Sequence, residues 1–371
     1  MCDVTSIVLT GGPCGGKSTS ISVLEQELTN KGFQVIIVNE MATDVILSGI
    51  TPVNFGGYDF QKVLIEMQIN RNKVYFEASK KFAEKEGKRV VIIFDRGIAD
   101  GKAFVTDKDY ERLLIECGIN EVGVLDMYDG VFHLVTAADG AIEYYTCENN
   151  KARTETPEEA IERDKGCLRA WTGHPHLRVI DNKNKTFEEK LDKLLEEVYA
   201  LLGVPVPVEI ERKFLIEKPN MEEIKTKFDC TTVDIIQTYL ISEDAKVERR
   251  IRQRGMVDKF TYYYTEKEMI DNGLTRTERE RKITEQEYLK LMMEADTRLH
   301  QIRKQRTCFV YENQYFELDI YPFWNDKAIL EVELTNTNNK VTIPNEIRLI
   351  KEVTEDKDYK NNSLAKLNFN S

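Results

Sequence analysis

A chain of 371 residues, 41% hydrophobic and 31% charged, is long enough to bury two cores and has the make-up of an ordinary soluble globular protein. Its net charge of −12 argues against a surface that grips duplex nucleic acid. The seven cysteines are scattered and form no C-x-x-C pair, which argues against a disulfide framework or zinc site and for a reducing compartment. No basic segment precedes the first apolar run and no run approaches the length of a membrane span, so the expected location is the cytoplasm.

In chain order, strands are expected over 4–10, 34–39, 89–94, 131–137 and 177–181. These are mostly continuous apolar runs, the pattern of parallel strands covered on both faces. Helical patterns fall between them at 17–31, 58–86, 107–117, 139–147, 157–171 and 186–202. The alternation implies a doubly wound α/β sheet with its ligands at the carboxyl ends of the strands.

The first of those ends carries the most specific motif. Gly11, Gly16, Lys17 and Ser18 stand at the spacing G-x-x-x-x-G-K-[ST] of a phosphate-binding loop. Across Gly11, Gly12, Pro13, Cys14, Gly15 and Gly16 the glycines permit a tight turn whose N–H groups face phosphate oxygens. The helix that follows presents its positive end, from Lys17 through Thr19, to the anion. Lys17 supplies a point charge for the β/γ-phosphates, and the Ser18 hydroxyl suits Mg²⁺. Cys14 reads as a loop filler rather than a nucleophile. The expected ligand is ATP or GTP.

Three further positions belong to strand ends or to the region over them. Asp95, closing the third strand, reads as the second Mg²⁺-associated carboxylate, with a helix N-cap as the alternative. Its neighbour Arg96 either reaches a phosphate or pairs with a carboxylate, and Glu40 ends the second strand where an acceptor or the Mg²⁺ shell would sit, or is a surface glutamate. Residues 149–176 differ in character: Thr156-Pro157-x-Glu159 starts a helix. Arg153 and Arg163 either fold over the nucleotide as a lid or belong to a solvated face. His174 and His176 lack partners at metal spacing and read as turn residues.

Gly203-Val-Pro-Val-Pro207 breaks the pattern, which sets domains at 1–203 and 208–371. Beyond it the chain reads as strands over 208–217, 233–241, 247–254, 259–269, 274–283, 299–311, 314–321 and 328–335, with helices at 284–295 and 356–367. Eight sequential strands suggest a mainly antiparallel closed barrel. Side chains two apart share a face. Glu209, Glu211 and Lys213 therefore line up, as do Arg250 with Arg252, Arg276 with Glu278 and Glu280, Lys304 with Arg306, Glu317 with Asp319, and Glu331 with Glu333. Lys267 adds a cation on the long strand before 271–273.

A solvated charged face explains any one strand. Across six strands the paired acids and the apolar opposite faces point the charge inward. Such an interior is expected to be wet, metal-filled and suited to a polyanion, because burying that many ions dry costs several kcal/mol each. Carboxylates at this spacing are hard-oxygen ligands for Mg²⁺ or Mn²⁺, and the cations opposite them can clamp phosphate oxygens.

On these residues the second domain resembles the CYTH, or triphosphate tunnel metalloenzyme, family. Its E-x-E-x-K signature stands as Glu209-Ile-Glu211-Arg-Lys213, and its R-x-R, R-x-E-x-E, K-x-R, D and E-x-E elements fall on Arg250/Arg252, Arg276/Glu278/Glu280, Lys304/Arg306, Asp319 and Glu331/Glu333. The resemblance implies an eight-stranded tunnel in which Glu209, Glu211, Glu278, Glu280, Asp319, Glu331 and Glu333 hold divalent metal. Lys213, Arg250, Arg252, Lys267, Arg276, Lys304 and Arg306 hold a triphosphate, which a metal-assisted water hydrolyses. The first domain is similar to the AAA-like P-loop family that includes nicotinamide riboside kinases, on Gly11–Ser18, Glu40, Asp95-Arg96-Gly97, Trp171 and His174-Pro175. The domain order is similar to that of the TRPL translocation defect protein family, and a plant-type uridine kinase–CYTH fusion shares it. Three readings follow: an NTPase fused to a triphosphatase, a small-molecule kinase, and a nucleotide-regulated binder of phosphoinositides or other anionic phosphates with peripheral lipid contact.

Overall fold

A computed structural model describes residues 4–142, 145, 156–182, 186–204, 210–244, 246–257, 259–270, 275–334 and 340–366, without the side chains of 210, 268–270 and 275–279. The chain forms two compact units, Met1–Glu197 and Val198–Ser371. That division lies inside a helix, a few residues ahead of the Gly203–Pro207 break.

The first unit has strands β1 (Val4–Thr10), β2 (Gln34–Val38), β3 (Val90–Asp95), β4 (Gly130–Leu134) and β5 (Leu177–Ile180), and helices α1 (Lys17–Asn30), α2 (Met41–Leu47), α3 (Pro52–Phe55), α4 (Gly57–Glu86), α5 (Asp107–Glu116), α6 (Glu121–Leu125), α7 (Pro157–Trp171) and α8 (Phe187–Leu202). The sheet is parallel in the order β2-β3-β1-β4-β5. Its continuous apolar runs are buried as expected, with Ile7, Val8 and Leu9 of β1 and Ile92 and Ile93 of β3 wholly inaccessible. Because β1 is flanked by β3 on one side and β4 on the other, the loop after it opens at a point where the winding changes direction. The fourth strand stops at Leu134, short of the expected 137, and Thr136 and Ala137 beyond it bond the glycine-rich loop instead of a neighbouring strand. The helix expected over 139–147 falls partly outside the described residues.

The second unit has β6 (Ile210–Glu217), α9 (Met221–Lys227), β7 (Cys230–Leu240), β8 (Val247–Met256), β9 (Lys259–Ile270), β10 (Thr275–Ile283), α10 (Glu285–Leu291), β11 (Ile302–Tyr311), β12 (Gln314–Ile320), β13 (Lys327–Leu334), β14 (Leu349–Glu352) and α11 (Asn361–Leu364). All eight expected strands form, but among the described residues their ladder does not close. The antiparallel sheet runs β10-β9-β8-β7-β11-β12-β13-β6-β14 and has β10 and β14 as its edges. Closure would need β6 to pair with β10, and β14 takes that edge instead, with Leu349 opposite Ile216 and Glu352 opposite Phe214. β14 is four residues long and exposed throughout, so no alternation announced it. The sheet is nonetheless strongly curled. Leu215 of β6, Tyr239 of β7, Ile302 of β11 and Ile329 of β13 meet in one core cluster although their strands are not all neighbours.

The outer, apolar face packs Phe214, Ile216, Phe309, Phe316, Leu318, Leu330 and Val332 against Ile224 of α9, Phe228 and Ile347. Those residues alternate with the charged positions, so covering this face leaves the charges on the concave one.

Candidate functional site

In the first unit the glycine-rich loop is shaped by positive-φ turns and by hydrogen bonds to its carbonyls. Gly11 and Gly16 sit at φ 129° and 88°, and Cys14 at 56°, conformations that favour glycine and tighten the turn. A Cβ on Gly11 would lie 2.2 Å from the Leu134 carbonyl oxygen, so the loop rests directly on β4. Lys17 Nζ donates to Gly11 O at 3.0 Å and Gly12 O at 2.9 Å, arching over the loop's start. Burial and the nearby Arg96 guanidinium bring its ammonium down to about 8. Ser18 and Thr19 are exposed in the first turn of α1, and Pro13 is half-buried.

Asp95, Arg96 and Glu40 do come together beside Lys17. Arg96 Nε donates to Glu40 Oε1 at 2.8 Å, and its Nη1 lies 3.5 Å from both Asp100 Oδ1 and Cys167 Sγ. Of the two readings of Arg96, the structure has the carboxylate pair. Burial would lift the Glu40 pKa, but Arg96 and the Thr43 hydroxyl bring it below the usual carboxylate value. Asp95 is not the N-cap of the turn over Ile98–Phe104. Gly97 takes that place, and Asp100 Oδ2 accepts its amide at 2.8 Å. Asp95 Oδ1 is instead buried with no hydrogen-bond partner, and burial raises its pKa. An orphaned buried carboxylate oxygen within electrostatic reach of Lys17 is a hard-oxygen donor of the kind that suits Mg²⁺ or Mn²⁺.

Several residues that shape this site were missed. Asp164 of α7 accepts the Gly12 amide at 2.6 Å and the Thr136 amide at 3.1 Å on Oδ1, while Oδ2 meets His133 Nε2 at 3.0 Å. Burial opposes its charge, yet His133 and the two amides hold its pKa below the usual value. Lys190 Nζ donates to Gly15 O, Val135 O and Asn182 Oδ1. Thr136 Oγ1 donates to Pro13 O, and the Ala137 amide donates to Cys14 O at 3.2 Å. Each lies far from the loop in sequence and matches no motif; for Asp164 and Lys190 the local signal was polarity inside an amphipathic helix, and the others, in or after strands, carried none. Arg163 stacks over the Phe104 ring at 4.9 Å. Arg153 lies outside the described residues. His174 is a buried turn residue, its Nε2 2.9 Å from Tyr128 O.

In the second unit the pairing register brings the charged positions onto one face. Glu331 stands opposite Lys213 and Glu333 opposite Glu211; Arg306 is opposite Asp319, and Glu317 opposite Glu331. On the other wing Thr265 stands opposite both Arg250 and Glu280, and Lys267 stands opposite Glu248. Glu209 lies outside the described residues. Arg276 and Glu278 are placed only by backbone register, opposite Met269 and Lys267, and their side chains lie outside the described residues.

At the centre of that face the expectation of a wet interior gives way to ions buried against one another. Arg306 bonds Asp319 through Nε and Nη2, both at 2.7 Å, reaches Glu331 Oε2 at 2.6 Å, and also pairs with Glu317. Lys304 pairs with Asp319, and Lys213 Nζ donates to Glu331 Oε1 at 2.6 Å and lies 3.1 Å from Glu211. Asp319 is wholly inaccessible and Glu331 nearly so. Burial works against the charges of Lys213, Lys304, Arg306, Glu317 and Glu331. Lys213 and Arg306 are still held above their ordinary values by the acids around them, and Glu331 well below its own by Lys213, Lys304 and Arg306. Glu317 is raised by burial.

Toward the margin the carboxylates are more open: Glu211, Glu317 and Glu333 are half-buried. On the basic wing Arg252 Nη2 bonds Glu280 Oε1 at 2.7 Å, and Glu280 Oε2 accepts from the Thr265 hydroxyl at 2.9 Å. Arg252 Nε is buried with no hydrogen-bond partner. The hard-oxygen donors at the margin suit Mg²⁺ or Mn²⁺, although no cluster of three or more ligand side chains is gathered about one point among the described residues. The five cysteines described are free thiols, and no helix described is long and apolar enough to cross a membrane.

A glycine-rich loop after the first strand of a parallel α/β sheet, followed by a curled antiparallel sheet with its charged positions on one face, defines the class: an α/β unit and an antiparallel β unit in one chain. Residues 6–190 match the AAA domain family. The C-terminal part is similar to an inorganic triphosphatase from Nitrosomonas europaea, 30% identical over 161 residues, which cover 42% of this chain and 96% of that protein. The chain therefore belongs, through that part, to the family of this CYTH-type inorganic triphosphatase. Among solved structures, the crystal structure of an inorganic triphosphatase is 28% identical over 43% of this chain and 96% of its own, at a TM-score of 0.32. A protein from Pyrococcus horikoshii OT3 is 21% identical over 35% of this chain and 80% of its own, at 0.26.

Proposed function

We propose that this chain is a nucleotide-binding P-loop protein carrying a metal-dependent triphosphatase, each activity housed in its own unit. Membership of an inorganic triphosphatase family supports the second half of that reading. The observation that carries it is the concave face of the second unit, where Lys213, Arg250, Arg252, Lys267, Lys304 and Arg306 share one surface with Glu211, Glu280, Glu317, Asp319, Glu331 and Glu333.

In this reading Glu211 and Glu333, opposite one another and half-buried, hold Mg²⁺ or Mn²⁺, which supplies Lewis acidity to the phosphoanhydride. Arg252 and Lys267 bind phosphate oxygens, and Arg306 keeps Asp319 and Glu331 charged and in place. In the first unit Gly11–Thr19 bind the phosphates of ATP or GTP, with Ser18 and Asp95 as the metal-holding pair. The test is phosphate release by the full chain from tripolyphosphate, ATP and GTP in Mg²⁺ or Mn²⁺. Glu211→Ala is expected to suppress release from tripolyphosphate at least about a hundredfold, as loss of a metal-holding carboxylate implies.

The unsatisfied Arg252 Nε is equally compatible with a second reading, because a phosphate oxygen would satisfy it whether or not hydrolysis follows. On that reading the second unit binds a phosphoinositide headgroup under control of the nucleotide state of the first. Binding to phosphoinositide vesicles, with no release from any triphosphate, would select it. A small-molecule kinase related to the nicotinamide riboside kinases, or kinship with the TRPL translocation defect proteins, would show as nucleotide-dependent phosphorylation of an acceptor or as headgroup binding in the same assays.

A further inference from the structure

Three successive carbonyls of the phosphate loop are bonded from below: Pro13 O by the Thr136 hydroxyl, Cys14 O by the Ala137 amide and Gly15 O by Lys190 Nζ at 3.0 Å. In a planar trans peptide the C=O and the following N–H point opposite ways. Holding those oxygens therefore aims the amides of Cys14, Gly15 and Gly16 toward the ligand side. Two of the three donors come from the segment directly after β4. The third is a side chain from the far end of the unit, 175 residues along the chain.

Lys190 matches its place atom for atom. Its ammonium has three N–H groups, and it meets three acceptors: Gly15 O, Val135 O at 2.7 Å and Asn182 Oδ1 at 2.8 Å. Asn182 Nδ2 in turn donates to Thr136 O at 2.7 Å and Asp139 O at 2.9 Å, so the lysine and the asparagine clamp the post-β4 segment under the loop. One turn earlier on α8, the Phe187 ring backs Gly16, where an added Cβ would lie 2.6 Å from the ring.

We propose that Lys190 is a positioning residue for nucleotide binding, holding the Gly15 carbonyl so that the Gly16 amide faces the anion and placing a second ammonium charge behind the phosphates. This rests on the nucleotide-binding reading of the loop. Lys190 is 3% exposed, a location a cation occupies at a cost unless its hydrogen bonds and neighbouring charges offset it. Burial brings it down to about 8; Asp164 and Asp181 act to raise it and Lys17 to lower it, so it is charged at neutral pH and sits within electrostatic reach of Lys17. An anion that draws on Lys17 draws on Lys190 as well.

The experiment titrates the full chain with fluorescent N-methylanthraniloyl ATP and GTP in Mg²⁺, at a temperature well below the melting of every variant. Lys190→Met is expected to weaken binding about tenfold or more, the scale of losing a charge-assisted contact, and Lys190→Arg to recover most of it. Leu194→Ala, on the same helix and buried, is the control: it lowers the melting temperature and leaves affinity unchanged. If Lys190→Met does not fold, Lys190→Gln, which keeps neutral donors, is read in its place. A folded Lys190→Met or Lys190→Gln protein that binds like wild type, or a Leu194→Ala protein that loses affinity to the same degree, would overturn this inference alone. Wild-type protein that binds neither nucleotide would remove the nucleotide-binding reading and this inference with it.

Discussion

In the first unit the groups turned toward the candidate site belong mainly to the backbone; in the second they belong to side chains. The loop from Gly11 to Gly16 aims amides by fixing carbonyls, and it needs small residues because it lies against the Leu134 carbonyl. The concave face of the second unit uses a lattice of ions in which Arg306 alone meets Asp319, Glu317 and Glu331. A backbone grip is fixed by turn geometry and tolerates side-chain change at most positions. A side-chain grip binds more ions at once, yet each member holds the others in place. The two units should therefore break differently.

The largest expected effect is in the second unit. Arg306→Ala leaves buried Asp319 and Glu331, and half-buried Glu317, without their shared partner, and removing one member of such a network costs about 3–5 kcal/mol. Denaturant unfolding of the full chain should show the transition of that unit shifted by this amount while nucleotide affinity holds. A shift below about 1 kcal/mol would place these pairs with ordinary surface salt bridges.

Next in size is the first unit's own weak point. Lys17→Ala should lower nucleotide affinity at least a hundredfold, about 2.8 kcal/mol, because the variant loses both the phosphate charge and the bonds over Gly11 and Gly12. Gly11→Ala should do the same with no charge altered, since its Cβ meets backbone and φ is 129°. Isothermal titration distinguishes the two from wild type. A Gly11→Ala protein that binds normally would show that the amides are not the grip.

A pH series sharpens the contrast further. Lys17 and Lys190 are both brought down to about 8 by burial, below the ordinary 10.5. Between those values the unfolded chain binds more protons than the folded one, so the stability of the free first unit rises with pH across that window. Nucleotide binding has the opposite sign. It requires the charged amines and draws protons onto them, so affinity should fall as pH climbs through 8, by about tenfold per unit for each proton taken up. Dissociation constants at pH 7, 8 and 9 measure this; a flat profile would mean that neither ammonium senses the ligand.

The smallest effect concerns α7, which carries Asp164 into the loop. Thr156 caps that helix through the Glu159 amide, and Glu159 returns the bond to the Thr156 amide at 2.8 Å. Thr156→Ala should cost about 1 kcal/mol, read as a lower melting temperature with nucleotide affinity unchanged within about twofold.

Much of the first unit was legible because its signals are local. A phosphate loop spans eight residues, a buried parallel strand shows as an apolar run, and the cap at Thr156 is a four-residue pattern. The elements that shape that loop were not legible. Asp164, Lys190 and Asn182 reach it across more than 100 residues and carry no motif. In the second unit the period of two placed the charges on one face, strand by strand, and the registers agree with it. It could not say that the sheet stays open. That depended on β14, whose Leu-Ile-Lys-Glu is exposed and has no alternation to read.

From its own residue order the chain determined the two-unit plan, the phosphate loop at Gly11–Ser18 and the charged stripe of each strand, because spacing along a backbone of known period sets which groups share a face. Only the tertiary structure decided that Asp319 and Glu331 are held by Arg306, Lys304 and Lys213, that Arg96 pairs with Glu40, and that Lys190 lies under the loop. Pairing between charges depends on distance in space and on burial, and a linear sequence specifies neither until the sheet has curled and the helices have packed.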